Sequence, residues 1–206
     1  MPELYVITGP NGAGKSSNAL GLLPAGLSLP VFDGDKIYYQ LLNKYYQECK
    51  VLKYAKEKAA SELELIFLEQ VDLSMKLQKS YAYEGHFTNE NSWSVIRRFR
   101  ENGYKIVMIY LALENVALSL QRVATRVSQN GHHVPPLNVY DNFFGNIAML
   151  DKNLALINRL IVLDNGGPCY VHILTIDEQQ VSYKSENEIP QWLRNNMPNL
   201  LHILTN

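Results

Sequence analysis

Eight consecutive residues, Gly9-Pro10-Asn11-Gly12-Ala13-Gly14-Lys15-Ser16, satisfy every fixed position of the pattern G-x-x-x-x-G-K-[ST]. The chemistry that needs this order is the holding of a triphosphate. Glycines let the backbone curl until successive N–H groups aim at phosphate oxygens. A helix that follows offers its positive end to the same anion. Lys15 then reaches the β- and γ-phosphates of ATP or GTP, the Ser16 hydroxyl is a ligand for Mg²⁺, and Ser17 adds a hydrogen bond to phosphate. Pro10, Asn11, Gly12, Ala13 and Gly14 form the cradle. An accidental glycine turn would satisfy the letters alone. The apolar run 4–8 just before it reads as a buried strand, however, and residues 15–23 as a helix, which is the context this motif requires.

Two carboxylates fall where a kinase could use them. Asp35 follows a second short strand over residues 30–33. A carboxylate there can take the proton of a substrate hydroxyl and turn it toward the γ-phosphate. It can equally be the N-cap of the helix it precedes, and Asp33 reads as a turn residue. Glu84 closes the run Tyr81-Ala82-Tyr83-Glu84. Strand C-termini form the ligand crevice of open α/β sheets, so Glu84 can hold substrate hydroxyls or Mg²⁺ through water, against the plainer reading of a solvated loop glutamate. His86 carries the same two readings. Arg122 and Arg126 lie four residues apart on one helix face. They can close over the phosphates and neutralise charge on the transferred group, or simply be solvated. His132 and His133 are adjacent in a turn. No third ligand has metal-site spacing, so His132 is read as a loop histidine near phosphate or a surface one. The dense tyrosines Tyr38, Tyr39, Tyr45, Tyr46 and Tyr54 can stack on a sugar or base, or cover a core with a wet edge.

The elements that must position these groups alternate. Beyond the two strands and the helix already named, residues 35–46 and 53–79 carry helical spacing and 81–84 a strand. A helix over 91–102 stops at Gly103, and 105–111 is a continuous apolar run of the kind found inside parallel sheets. Helices follow over 114–128 and 139–157, and strands over 160–163 and 170–176. This alternation predicts an α/β fold of the P-loop NTPase type, with a mainly parallel central sheet covered by helices on both faces. No repeat or linker divides the chain, so residues 1–206 read as one domain, with a polar, partly mobile tail from about 186.

Composition narrows the partners. The 206 residues carry a net charge of −1, which argues against nucleic acid or an anionic membrane as partner. No apolar run approaches the roughly 18–20 residues that span a bilayer, and the two cysteines stand in unrelated contexts, as in a reduced, cytoplasmic protein.

The phosphate loop, an Asp after the second strand, the aromatic run ending in Glu84, and Arg122…Arg126…Gly131-His132-x-Val134-Pro135 occur in that order. Together they resemble the zeta-toxin-like P-loop kinases, especially a small stand-alone bacterial branch, over about residues 4–167. The resemblance implies a kinase that uses ATP and Mg²⁺ to phosphorylate a hydroxyl of a small molecule, such as the sugar nucleotide UDP-N-acetylglucosamine. It implies Asp35 as base, Lys15 as the phosphate-loop lysine, Glu84 as the acid of the substrate loop, and Arg122 and Arg126 as the arginines of the R-V-A-x-R segment. It places Asn165 near the nucleotide base, and it implies an antitoxin-like protein as partner. This chain departs from the family in two places. Tyr140-Asp141-Asn142-Phe143 stands where the branch has a run of arginines, and Glu84-Gly85-His86 where it has Glu-Thr-Thr. The lost positive charge motivates an alternative: an ATP-binding module or switch acting through a protein partner.

Overall fold

A computed structural model of the chain describes residues 1–24, 27, 29–129, 133–186 and 188–205. Five strands run parallel: β1 (Glu3–Thr8), β2 (Val31–Asp33), β3 (Tyr81–Gly85), β4 (Lys105–Ala112) and β5 (Arg159–Asp164). β6 (Val171–Asp177) and β7 (Gln180–Lys184) continue the sheet antiparallel. The spatial order is β2-β3-β1-β4-β5-β6-β7. From Ile106 to Ala112 every residue of β4 is buried, so both faces of the sheet centre are covered, as a parallel sheet requires. The helices are α1 (Lys15–Leu22), α2 (Gly34–Cys49), α3 (Leu52–Leu77), α4 (Glu90–Glu101), α5 (Val116–Ser128), α6 (Pro136–Lys152), α7 (Gln191–Asn196) and α8 (Pro198–Thr205). None is long and apolar enough to cross a membrane.

Strand order decides what meets. β1 is central, between β3 and β4, so the loop leaving its C-terminal end is flanked by the ends of both neighbours. Register then places Glu84 opposite Ile7 on one side and Asp33 on the other. This brings the phosphate loop and two acids from separate stretches of sequence to one edge.

Three expectations change. α5 starts at Val116 because the Asn115 side chain accepts from the Leu118 N–H at 2.9 Å and caps it. The helix expected over 139–157 begins at Pro136, where proline lacks only an N–H that would be unpaired anyway. It ends at Lys152 before a 3₁₀ turn, Leu154–Leu156. The largest correction is the C-terminal segment, which is not a polar tail. α7, α8 and Met197 between them bury Trp192, Leu193, Met197 and Leu200 in the main core, and the buried Asp151 carboxylate accepts from the first-turn N–H groups of Asn199 and Leu200 at 3.1 and 2.8 Å. Strand β7 went unseen because all its residues are exposed and its turn, Glu178–Gln179, takes left-handed φ values of 47° and 66° without glycine.

Candidate active site

The phosphate loop links β1 to α1. Gly12 and Gly14 have φ of +75° and +86°, a region that costs side-chain-bearing residues. A Cβ at Gly12 would lie 2.8 Å from the Arg122 Cβ, and one at Gly14 2.9 Å from the Asn165 Nδ2. Both glycines are therefore required by conformation and by space. α1 has Gly14 at its N-cap and no side-chain cap, which leaves its first-turn N–H groups to a ligand.

Four consecutive loop carbonyls are held by side chains from elsewhere. Ser119 Oγ donates to the Asn11 carbonyl at 2.6 Å and Arg122 Nη1 to that of Gly12 at 3.3 Å. Asn165 Nδ2 donates to Ala13 at 2.8 Å and the Tyr170 hydroxyl to Gly14 at 3.4 Å. In a trans peptide the next N–H points opposite to each carbonyl, so this clamp turns the N–H side of the loop away from α5 and the β5–β6 connection. Arg122 Nη2 also donates to the Gly166 carbonyl at 3.3 Å. Pro10 contributes its carbonyl, which accepts from the Ala13 N–H and from Lys15 Nζ.

The loop borders a cavity of about 270 Å³. Lys15, Arg122 and Arg126 supply its cations, Asp35 and Glu84 its carboxylates, and Ser16 and Ser17 its hydroxyls. Asp35 is not the N-cap of α2. That role falls to Asp33, whose Oδ1 accepts from the Lys36 N–H at 2.9 Å, which leaves the Asp35 carboxylate to the cavity. Glu84 is not a solvated loop residue: it is 8% exposed and accepts a hydrogen bond from the Ser16 hydroxyl. Its Oε2 is buried with no hydrogen-bond partner.

Burial governs the protonation of the inner groups. It pushes the Lys15 ammonium down to about 8, against the carboxylates of Glu84 and Asp35. It pushes Glu84 up to about 6, against the Ser16 hydrogen bond and the Lys15 charge. His86 is held well below its ordinary value by burial and by Lys15, with the Gly9 carbonyl pulling the other way, so the ring is neutral. Lys15 Nζ donates to the carbonyls of Gly9 at 2.8 Å and Pro10 at 3.1 Å.

Sequence reading missed the supports supplied by α6. Asn142 Nδ2 donates to Asn11 Oδ1 at 2.9 Å, and Asn11 Nδ2 in turn lies 3.4 Å from His86 Nε2. Asn146 Nδ2 donates to the Thr8 hydroxyl at 2.7 Å, which donates to the Gly85 carbonyl at 3.1 Å. A signal existed: Asn146 falls on the buried stripe of Val139, Phe143, Ile147 and Leu150, and a buried amide needs a partner. His132 lies outside the described residues, and His133 is exposed. No group of three metal-ligating side chains occurs among the described residues. The tyrosines separate: Tyr38 lines a second cavity, Tyr45 donates to Glu62, and Tyr46 and Tyr54 are exposed with lysine ammoniums over their rings.

A phosphate loop after the central strand of a mainly parallel sheet, faced by an acid at the tip of the adjacent strand, defines a P-loop phosphotransferase of the kinase type. Within that class the chain belongs to the Zeta toxin family, whose sequence model matches residues 1–175. Among solved structures, a chain of the PezAT chromosomal toxin–antitoxin system of Streptococcus pneumoniae aligns with a TM-score of 0.56 at 17% identity, over 100% of this chain and 88% of that one. A chain of the AvrRxo1-ORF1:-ORF2 complex solved with ATP aligns with a TM-score of 0.65 at 16% identity, over 97% of this chain and 64% of that one. This chain therefore spans just under two thirds of that relative. A candidate kinase of Chloroflexus aurantiacus aligns with a TM-score of 0.55 at 14% identity, over 94% of each chain. At these identities the structural likeness is one of fold. No curated protein matches the sequence at a significant level.

Proposed function

We propose that the chain transfers the γ-phosphoryl group of ATP, with Mg²⁺, to a hydroxyl of a small molecule. The observation that carries this reading is the Asp35 carboxylate, relieved of capping by Asp33 and facing the cavity that Lys15, Arg122 and Arg126 also line. In the transfer, the acceptor oxygen bonds to the γ-phosphorus as the bond to the β–γ bridging oxygen breaks. ADP leaves with that electron pair, and Asp35 takes the hydroxyl proton. Lys15 and Arg126 supply cations for the charge on the phosphate oxygens, while Arg122, whose guanidinium donates to the Gly12 and Gly166 carbonyls, holds the loop that cradles them. GTP is the alternative donor, and Asn165, which the resemblance sets near the nucleotide base, donates to the Ala13 carbonyl of the loop.

The residues present fit Mg²⁺. The Ser16 hydroxyl and the Glu84 carboxylate are hard oxygen donors in contact, and Glu84 Oε2 lacks a partner. Mg²⁺ is commonly held by one or two carboxylates together with substrate phosphates. When bound, the ion offsets phosphate charge. The resemblance supplies a sugar nucleotide such as UDP-N-acetylglucosamine as reference acceptor, met by Glu84 and His86. The PezAT toxin–antitoxin neighbour supplies the precedent for an antitoxin-like protein partner.

The test is turnover of purified protein with ATP, Mg²⁺ and candidate acceptors. Asp35→Asn is expected to lower kcat about 10²–10⁴-fold with little change in nucleotide affinity. Equal turnover in variant and wild type removes Asp35 from the mechanism. A second reading, a nucleotide-binding switch, draws on Asn142, whose amide braces Asn11 where the resemblance expects arginine charge. Tight ATP binding with no transfer to any acceptor would favour it.

A further inference from the structure

The ladder between β1 and β3 ends at the pair Thr8–Gly85. Glu84 is the residue before that last pair on β3, and Ser16 lies past the phosphate loop in the first turn of α1. Among the described residues, no backbone hydrogen bond joins the loop to the segment after β3. Side chains join them instead, and a third element holds those side chains.

That element is α6. Asn142 and Asn146 lie four residues apart on one face of it. Asn146 Nδ2 donates to the Thr8 hydroxyl at 2.7 Å, and this hydroxyl donates across the last ladder pair to the Gly85 carbonyl at 3.1 Å. Asn142 Nδ2 donates to Asn11 Oδ1 at 2.9 Å, and Asn11 Nδ2 lies 3.4 Å from His86 Nε2. Between the two asparagines, Gly145 sits against Thr88, where a Cβ would lie 3.0 Å from the Thr88 Cβ. The helix thus ties both the start and the middle of the phosphate loop to residues that directly follow Glu84.

Three features set these ties apart from ordinary packing. Glycine inside a helix is unfavourable, so Gly145 marks a place where close approach is required. Asn146 interrupts an apolar stripe and leaves its own Oδ1 buried without a partner, a burden that leucine would not carry. Seven polar side chains are buried among the described residues, and four of them, Thr8, Asn11, Glu84 and Asn146, belong to this one cluster. Mg²⁺ demands near-ideal octahedral geometry. Groups that orient a metal's ligands without touching the metal strongly affect how tightly it is held.

We propose that Thr8, Asn142 and Asn146 are positioning residues: acting from α6, they fix the separation between the phosphate loop and Glu84, and so set how much Mg²⁺ strengthens nucleotide binding. The proposal rests on the kinase reading, with Ser16 and Glu84 as magnesium donors. Its readout is binding, not turnover.

The full chain is titrated with a non-hydrolysable ATP analogue, once in Mg²⁺ and once in EDTA, and the ratio of the two affinities is compared across variants. Thr8→Val keeps the side-chain shape and removes the hydroxyl, whereas Thr8→Ser keeps the hydroxyl. Asn146→Leu continues the apolar stripe and cuts the tie to Thr8. Asn142→Ala cuts the second tie at a partly exposed position, so it reports even where a core variant fails to fold, which urea denaturation reveals. Thr8→Val, Asn146→Leu and Asn142→Ala are each expected to lower the ratio about tenfold or more, and Thr8→Ser to retain most of it. A merely structural role would lower stability, or weaken binding equally in both buffers, and leave the ratio as it was. The proposal is overturned if the ratio is unchanged in any folded member of the three, or if Thr8→Ser loses as much as Thr8→Val. A wild-type chain that binds no analogue in either buffer is a different result, and it sinks the kinase reading itself.

Discussion

At the scale of single residues, two neighbouring aspartates divide the work. Asp33 ends β2 and caps α2, and Asp35, within the first turn of that helix, is left facing the phosphate cavity. Spacing alone could not separate a cap from a base, because both roles want a short carboxylate at a strand–helix junction. Lys15 and Glu84 carry a pH prediction. In the unliganded protein Lys15 loses its proton as pH rises through about 8, whereas the phosphates favour its charged form. ATP affinity should therefore weaken above that pH, and binding there should take up a proton. Glu84 gains a proton as pH falls through about 6, so the Mg²⁺-dependent part of nucleotide affinity should fade below it. Calorimetry in buffers of different ionisation enthalpy reads both effects. A nucleotide affinity that stays flat across the alkaline limb would contradict the buried state of Lys15.

At the scale of elements, the phosphate loop is shaped as much from outside as from within. Its carbonyls are held by Ser119 and Arg122 of α5, and by Asn165 and Tyr170 from either end of the β5–β6 connection. A methyl group at Gly12 or Gly14 meets this clamp at 2.8–2.9 Å in a backbone region that disfavours side chains. Gly12→Ala and Gly14→Ala are each expected to lower ATP affinity about tenfold or more, from left-handed strain of about 1–2 kcal/mol plus the clash. Titration of a fluorescent nucleotide checks this. Wild-type affinity in either variant would mean that the loop can be remade without its clamp.

At the scale of the whole molecule, the sheet brings distant sequence together, and the C-terminal helices complete its core. Trp192 is 5% exposed and its ring centre lies 6.1 Å from that of Tyr110 on β4. Trp192→Ala is expected to cost about 3–5 kcal/mol of unfolding free energy, measured by urea denaturation. Nucleotide affinity should be retained while the variant remains folded, because α7 takes no part in lining the phosphate cavity. A loss near zero would show that the segment after residue 186 is the loose tail its polar composition suggests.

What the sequence determined by itself is local. The phosphate loop, the strand before it, the helix after it and most of the β–α alternation follow from backbone freedom at glycine, apolar runs and helical spacing, which act over a few residues. Asp35, Glu84, His86, Arg122 and Arg126 could be named as candidates because each sits at an element boundary or on a helix face. Only the tertiary structure decided their company. Strand order and register set Glu84 against the Ser16 hydroxyl, α6 delivered Asn142 and Asn146 to the loop, and α7 and α8 turned a polar stretch into core. These contacts join residues up to more than a hundred positions apart, and no short-range pattern encodes which buried polar atoms find one another and which are left for a ligand.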